Sequence, residues 1–332
     1  MNPSIYNEYD YINFLVATPK SYSCLEAGRV QPVKMGVAVA HDAINRMLRR
    51  NEPNSDALWQ EAKALVGIDD GLLELDDTTL DQPYANKMEL VCWHWSGKPH
   101  KTVRGINLLT LVWSDGDQHL PVDYRIYEKV HDSLSKNDHF RQRLEIASQR
   151  GFKPTYVCFD SWYSGLDNLK QIRQGGWEWF TRLKSNRLVN PDNRSNIPIA
   201  TVEIDPQGRV VHLKGYGFIK VFRTVSTNGD VEHWATSDIK MRELDRLGVA
   251  EKTWVIEPYH RGIKQFCGIE RCQARSTQAQ RNHLALAIRA FLRLERYSYA
   301  TGHSWFEAKM QIIREAVRAY LENPKYTLGS TA

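Results

Sequence analysis

Between residues 73 and 80 the chain reads LELDDTTL, three carboxylates threaded through leucines and threonines. Leu73, Leu75, Thr78 and Thr79 suit a β-strand, whereas Glu74, Asp76 and Asp77 are poor strand formers and costly to bury. A core strand that carries such acids needs a positive partner or a metal, and few folds supply one. Side chains alternate along a strand, so Leu73, Leu75 and Asp77 share one face and Glu74, Asp76 and Thr78 the other. Asp77 follows the more apolar face and is the acid expected to need compensation. Asp76 is expected at solvent or behind it.

Two more carboxylates stand where an element would otherwise take an apolar or neutral residue. Asp160 ends the short apolar run PTYVCFD, and Glu257 lies in WVIEPYHRGIKQ. Two strand-end aspartates and one helix glutamate can converge on divalent cations, and hard oxygen donors suit Mg²⁺ or Mn²⁺. Two such ions ~4 Å apart activate a nucleophile and stabilise the leaving oxygen in phosphoryl transfer. Glu257, Arg261 and Lys264, spaced i, i+4, i+7, share a helix face, which suits holding a metal ligand beside a phosphate. A surface salt bridge is the plainer account of that spacing. Pro258, directly after Glu257, requires the helix to start or kink there.

The elements follow in a definite order. Residues 1–65 read as a helical region, with Ile12, Phe14 and Leu15, then Ile44, Met47 and Leu48, at helical spacing. HDAINRMLRRN presents Asn45, Arg46, Arg49 and Arg50 either as a DNA-reading second helix of a helix-turn-helix or as the polar side of an amphipathic helix. Three strands follow (GLLELDDTTL, KTVRGINLLTLVW, LPVDYRIYEK), then a helix from Asn137 to Gly151, the strand ending on Asp160, and the helix LDNLKQIRQGG. That order opens a mixed α/β layer fold, here residues 66–181. Residues 182–230 read as a β-rich insertion: IATVEID, GRVVHLK, GFIKVFRTVS and VEHWATS are short strands, the last running past its end, punctuated by DPQG, KGYG and TNGD. Helices return over 231–300 as one segment from about 240 to 265 and another over AQRNHLALAIRAFLRLERYSYA, and residues 301–332 form a last helix and tail.

LDDTT, FDSWYS and IEPYHRGIKQ, in this order and at these separations, resemble the three catalytic blocks of DDE transposases of bacterial insertion sequences. The likeness is to the cut-and-paste group with a β-strand insertion between the second Asp and the Glu. It spans roughly residues 35 to 300 and includes KMELVCWHWSGKPHKTVRGINLLTLVW. The resemblance implies a ribonuclease-H-like catalytic core and metal-ligand roles for Asp77, Asp160 and Glu257. It also implies a phosphate contact for Lys264, cleavage at transposon ends and strand transfer into target DNA, and a homodimer when two ends are synapsed. The family's Tyr and Arg positions, seven and four before the Glu, are Ala250 and Thr253 here. A mechanism relying on those two residues, such as a hairpin intermediate, is therefore not implied.

The uneven charge distribution suits a metal site acting on a polyanion and equally suits ordinary solvated faces. Residues 51–90 hold ten Asp/Glu against two Lys, a local balance of −8, while residues 251–300 hold nine Lys/Arg against four Glu, a balance of +5. Arg182, Lys184 and Arg187 enter the insertion at near-alternate positions and are candidates to track a phosphate backbone. Trp162 and Tyr163 are candidates to stack on a splayed base, with core packing the alternative. Arg289, Arg293 and Arg296 form a helical stripe, DNA-facing or simply solvated. Cys267, Cys272 and His283 fit no common zinc spacing. His94, His100 and His139 read as structural or exposed. No apolar run reaches the ~18 residues of a membrane span and no secretion signal is visible, so a cytoplasmic, nucleoid-associated location is expected. Two other readings stay open: a same-fold endonuclease that does not join, and a catalytically impaired, domesticated DNA-binding protein.

Overall fold

The computed structural model describes residues 6–20, 22–33, 36–50, 54–96, 101–129, 131–226, 228–253 and 256–325. His100 lies outside them. The chain divides into two compact units, one formed by residues 1–54, 84–90 and 260–332 and the other by residues 55–83 and 91–259.

The first unit is helical. Its N-terminal part holds α1 (Glu8–Ala17), α2 (Cys24–Val30) and α3 (His41–Arg50). Asn7 caps α1 in a reciprocal capping box with Asp10. α3 is amphipathic: Ile44, Met47 and Leu48 are buried while Arg46, Arg49 and Arg50 are exposed. Ten residues, 31–40, separate α2 from α3, longer than the 3–4-residue turn of a helix-turn-helix. Amphipathic packing accounts for α3 without that motif.

The second unit is built on a sheet. After α4 (Asp56–Ala62) come β1 (Leu72–Asp81), β2 (Cys92–Ser96), β3 (Lys101–Ser114) and β4 (His119–Tyr127), then α5 (Lys136–Gln149), β5 (Tyr156–Phe159), α6 (Leu166–Gln174) and β6 (Trp179–Leu183). β3 runs antiparallel to both β1 and β4, whereas β5 is parallel to β1 and β6 parallel to β5. Read across, the order is β4-β3-β1-β5-β6, the arrangement of a ribonuclease-H-like sheet. β2 also pairs with β3, at its first residues. There Gly105 is paired on both sides, and a Cβ on it would lie 2.3 Å from the carbonyl oxygen of Leu80, so no larger residue fits.

The sheet does not stop at β6. β7 (Leu188–Asn190), β8 (Ile197–Pro198), β9 (Arg209–Leu213), β10 (Gly217–Val225) and β11 (Val231–Thr236) follow, and β11 pairs antiparallel with β6. The segment IATVEID departs from the expected strand. Residues Ile199–Thr201 form a 3₁₀ turn, started by the fixed φ of Pro198 and closed by Val202 N–H on the carbonyl of Ile199. The helical stretch expected from 240 to 265 holds α7 (Glu243–Thr253) and α8 (Ile256–Gln265), with residues 254 and 255 outside the described ones. Both faces of β1 are covered. On one, Leu72 and Cys158 cluster with Phe180, Phe222 and Met241 beneath Val249 and Ala250 of α7. Phe140 of α5 packs edge-on against Phe159 and stacks on Tyr163.

The helical unit is completed by the end of α8, by α9 (Thr277–Thr301) and by α10 (Trp305–Glu322). α9 packs against α1, α3 and α10, and most of its first nineteen residues are buried. Arg289 is 5% exposed and pairs at 2.6 Å with the partly exposed Glu8, so that member of the arginine stripe is buried in an ion pair rather than solvated. His283 is buried with Nδ1 on Tyr11 Oη at 3.0 Å and Nε2 on the carbonyl of Gly268 at 3.1 Å, so both ring nitrogens are engaged. Burial pushes the Cys267 and Cys272 thiols up to about 12. These are structural groups.

Candidate active site

Parallel pairing of β1 with β5 sets the site. Leu75 is in register with Phe159, so the next step brings Asp76 and Asp160 side by side at the carboxyl ends of the two strands. Residues in register on parallel strands point to the same face. Asp160 also caps the 3₁₀ turn Ser161–Tyr163: its Oδ1 accepts from Trp162 N–H at 2.9 Å and Tyr163 N–H at 3.4 Å. Both bonds go to one oxygen, which leaves Oδ2 for a ligand.

Glu257 arrives on the second residue of α8. Pro258 is the third. The start of α8 is held from below by β1. Glu74, 2% exposed, accepts from the backbone N–H of Ile256, while its Oε1 has no hydrogen-bond partner among the described residues.

Electrostatics separate the adjacent aspartates. Burial pushes the Asp76 carboxyl well above its ordinary value, and the charges of Asp160, Asp77 and Glu257 push it the same way. Burial also raises Asp160, with Asp77 adding to it, against the opposing N–H groups of Trp162 and Tyr163 and the charge of Arg182. Asp77 behaves differently. Burial works to raise it too, but the Lys136 ammonium and three hydrogen bonds outweigh burial and leave it low. Its Oδ2 accepts from Asn107 Nδ2 at 2.6 Å and from Lys136 Nζ at 2.7 Å, and its Oδ1 accepts from Tyr163 Oη at 2.5 Å. Asp77 is thus a compensated acid, and Asp76 is the one that feels Asp160 and Glu257.

Strand alternation pointed to Asp77, on the premise that one face of β1 is apolar and the other wet. The premise fails because Leu72, Leu73, Glu74 and Leu75 are all buried, with at most 3% exposure. Asn107, Lys136 and Tyr163, which hydrogen-bond Asp77, were not singled out as its partners. They lie 30, 59 and 86 residues from it, and no local pattern marks them.

The remaining candidates divide. Trp162 is 56% exposed, with Lys184 Nζ 5.3 Å above its ring. Tyr163 is fully buried between Phe140 and Asp77, which corrects the expectation that it stacks on a base. Arg182 is exposed but paired with Glu232 at 2.6 Å, and its guanidinium lies over Trp234. Arg187 is half-buried. In the helical unit Lys264 pairs with Glu270 at 3.2 Å, and Arg261 lines a cavity with Phe266 and Trp305.

Among the described residues no three His, Cys, Asp or Glu side chains are already gathered as they would be around a metal ion. The donor set still fits a hard divalent cation. It is all carboxylate oxygen, the donor type that hard divalent cations take.

The family model described as the transposase DDE domain matches residues 69–293, a stretch covering β1 through most of α9. The chain belongs to this family: it is a DDE-type DNA transposase. Membership implies dependence on a divalent metal. Three solved structures are similar over differing spans. A piggyBac transposase synaptic complex with hairpin DNA shares 12% identity, over 96% of this chain and 73% of that one, with a TM-score of 0.49. The Drosophila P element transposase strand transfer complex shares 9%, over 98% and 88%, at 0.30. The Mos1 strand transfer complex shares 12%, over 54% and 58%, at 0.21. No curated protein matches the chain in sequence.

Proposed function

We propose that this transposase cleaves DNA at the ends of an insertion sequence and joins the freed 3′-OH to target DNA, using Asp76, Asp160 and Glu257 as its metal-holding carboxylates. The observation that carries the assignment is the register that sets Asp76 beside Asp160 at the carboxyl ends of β1 and β5, next to an Asp77 whose carboxylate is held by Lys136, Asn107 and Tyr163. Asp77 serves at the same site by holding Lys136 and Tyr163 in place, and it remains within the field of Asp160.

Two Mg²⁺ ions, with Mn²⁺ as a substitute, fit the donor chemistry. When bound, such ions supply an activated water and neutralise charge on the scissile phosphate. The chain's own residues do the rest. Asp160 orients through its capped turn, Glu257 is fixed by the start of α8, and Arg261 and Lys264 follow on the same helix to take phosphate oxygens. Arg182, Lys184 and Arg187 extend the cationic track along the backbone of double-stranded DNA. A homodimer on two synapsed ends and a nucleoid location complete the reading.

The test is a joining assay. The protein, Mg²⁺ and DNA flanking the encoding gene are incubated with a target plasmid, and junctions are sequenced. Junctions at the 3′ ends of inverted repeats support transposition. Cut ends without junctions indicate an endonuclease instead.

A further inference from the structure

One cation at the carboxylate site has no part in the metal-holding set. Lys136, the first residue of α5, donates from Nζ to Asp77 Oδ2 at 2.7 Å, and the centroid of the Tyr127 ring lies 5.9 Å from the same nitrogen. An ammonium carries three N–H donors, and among the described residues Asp77 is the one hydrogen-bond acceptor they meet. The side chains of Lys136 and Asp77 are 20% and 18% exposed, so the pair opens to solvent. A sealed pair in the same unit differs: Arg143 and Asp123, 3.2 Å apart, are 8% and 1% exposed.

The side chain is held at both ends. At its root, Ser135 and Asp138 form a reciprocal capping box that fixes the first turn of α5. Asn168 of α6, 1% exposed, donates to Asn137 Oδ1 at 2.7 Å and to the Tyr163 carbonyl at 2.9 Å, which ties the start of α5 to the turn that Asp160 caps. At its tip, Lys136 meets an Asp77 that Asn107 and Tyr163 hold on their own account. Asp77 follows Asp76 directly, so the ammonium stands beside the strand-end carboxylates. Fixing an ammonium this firmly exceeds what neutralising Asp77 requires, because ion pairs of that kind are often replaced by apolar side chains without loss of stability. A side chain set in advance gives up little freedom when it meets a ligand.

Resting on the transposase reading, we propose that Lys136 is a substrate-contacting residue: Asp77 presents its ammonium to a non-bridging oxygen of a backbone phosphate at or next to the cut, holding the strand against Asp76 and Asp160. A lysine ammonium is a compact point charge suited to phosphate, and one bond to Asp77 leaves two N–H donors for it. Lys136 makes and breaks no covalent bond in this role. The paired aspartates of LELDDTTL then divide the work, Asp76 for the cation and Asp77 for the lysine that steadies the phosphate.

Fluorescence anisotropy of the full chain in EDTA, on a labelled duplex of the DNA flanking the encoding gene, reads the contact without cleavage. Mg²⁺-dependent nicking of the same DNA reads its consequence. Lys136→Met should flatten the salt dependence of duplex binding by about 0.9 in log–log slope, the share of one phosphate contact. It should also slow nicking by about 10- to 150-fold, what a hydrogen bond to a charged group is worth. Lys136→Arg, which keeps the charge, should hold the wild-type slope. The double variant Asp77→Asn/Lys136→Met removes both charges together, so no unpaired carboxylate is left to unsettle the fold, and melting curves check that each variant is folded. It is expected to be as flat in slope and as slow in nicking as Lys136→Met alone. A wild-type slope in Lys136→Met, or recovery of either slope or nicking in the double variant, would overturn the proposal and leave Lys136 a counter-ion of Asp77. Because the slope is read in EDTA, its failure leaves the transposase reading intact. Wild-type nicking by Asp160→Asn would overturn that reading and leave the slope as it is.

Discussion

At the scale of single residues, the chain holds two neighbouring aspartates in opposite electrostatic states. Asp77 is matched and low; Asp76 is crowded by acids and high. A site built to receive cations is destabilising without them, so removing one of its charges relieves the metal-free fold. Asp160→Asn is expected to raise thermal stability in EDTA by about 0.5–2 kcal/mol while abolishing cleavage, and a paired melting and nicking measurement checks it. Lys309 makes the opposite kind of statement in the helical unit. It is 6% exposed and donates to the carbonyls of Leu15 and Phe266 and to Tyr22 Oη. Burial pulls its ammonium down to about 8 from 10.5, against the weaker pull of Cys267. A lysine whose folded value is depressed contributes stability above its unfolded value and loses it as pH falls through the folded one. Melting curves should therefore show the wild type gaining stability relative to Lys309→Met between pH 8 and 10.5, and no gain would contradict the burial.

At the scale of elements, the site depends on how α8 begins. Glu74 ties the first residue of α8 to the strand that carries Asp76, and a carboxylate buried for no other visible reason is thereby explained. Glu74→Gln keeps a carbonyl acceptor for Ile256 N–H, whereas Glu74→Leu does not. Leu should lower kcat by about 10- to 100-fold at unchanged DNA affinity, as loss of a residue supporting a metal ligand does, and Gln should restore most of it. Equal activity of the two variants would show that the bond does not position Glu257. Much of this level was legible in the sequence. Strands β1, β3, β4 and β5 and helices α5, α6, α9 and α10 follow periodicity and turn residues closely. What escaped was set by contacts distant in sequence. β2, a short CWHWS, exists because β3 offers it an edge. The choice between Asp76 and Asp77 depends on Lys136, Asn107 and Tyr163 together with the register of β1 on β5, none of which a strand pattern contains.

At the scale of the whole molecule, the order of three carboxylate-bearing blocks along the chain was the readable signal, because the fold must bring strand ends and a helix start together in that order. Acidic residues concentrate at 51–90 and basic ones at 251–300, as a metal-dependent enzyme acting on a polyanion requires. The most direct test is nicking of a supercoiled plasmid carrying the DNA that flanks the encoding gene, with Mg²⁺ or EDTA, by wild type and by Asp76→Asn, Asp160→Asn and Glu257→Gln. The account predicts Mg²⁺-dependent 3′-end cleavage by wild type and a loss of at least about a hundredfold in each variant. Wild-type cleavage by Asp160→Asn or Glu257→Gln, or undiminished cleavage in EDTA, would contradict it.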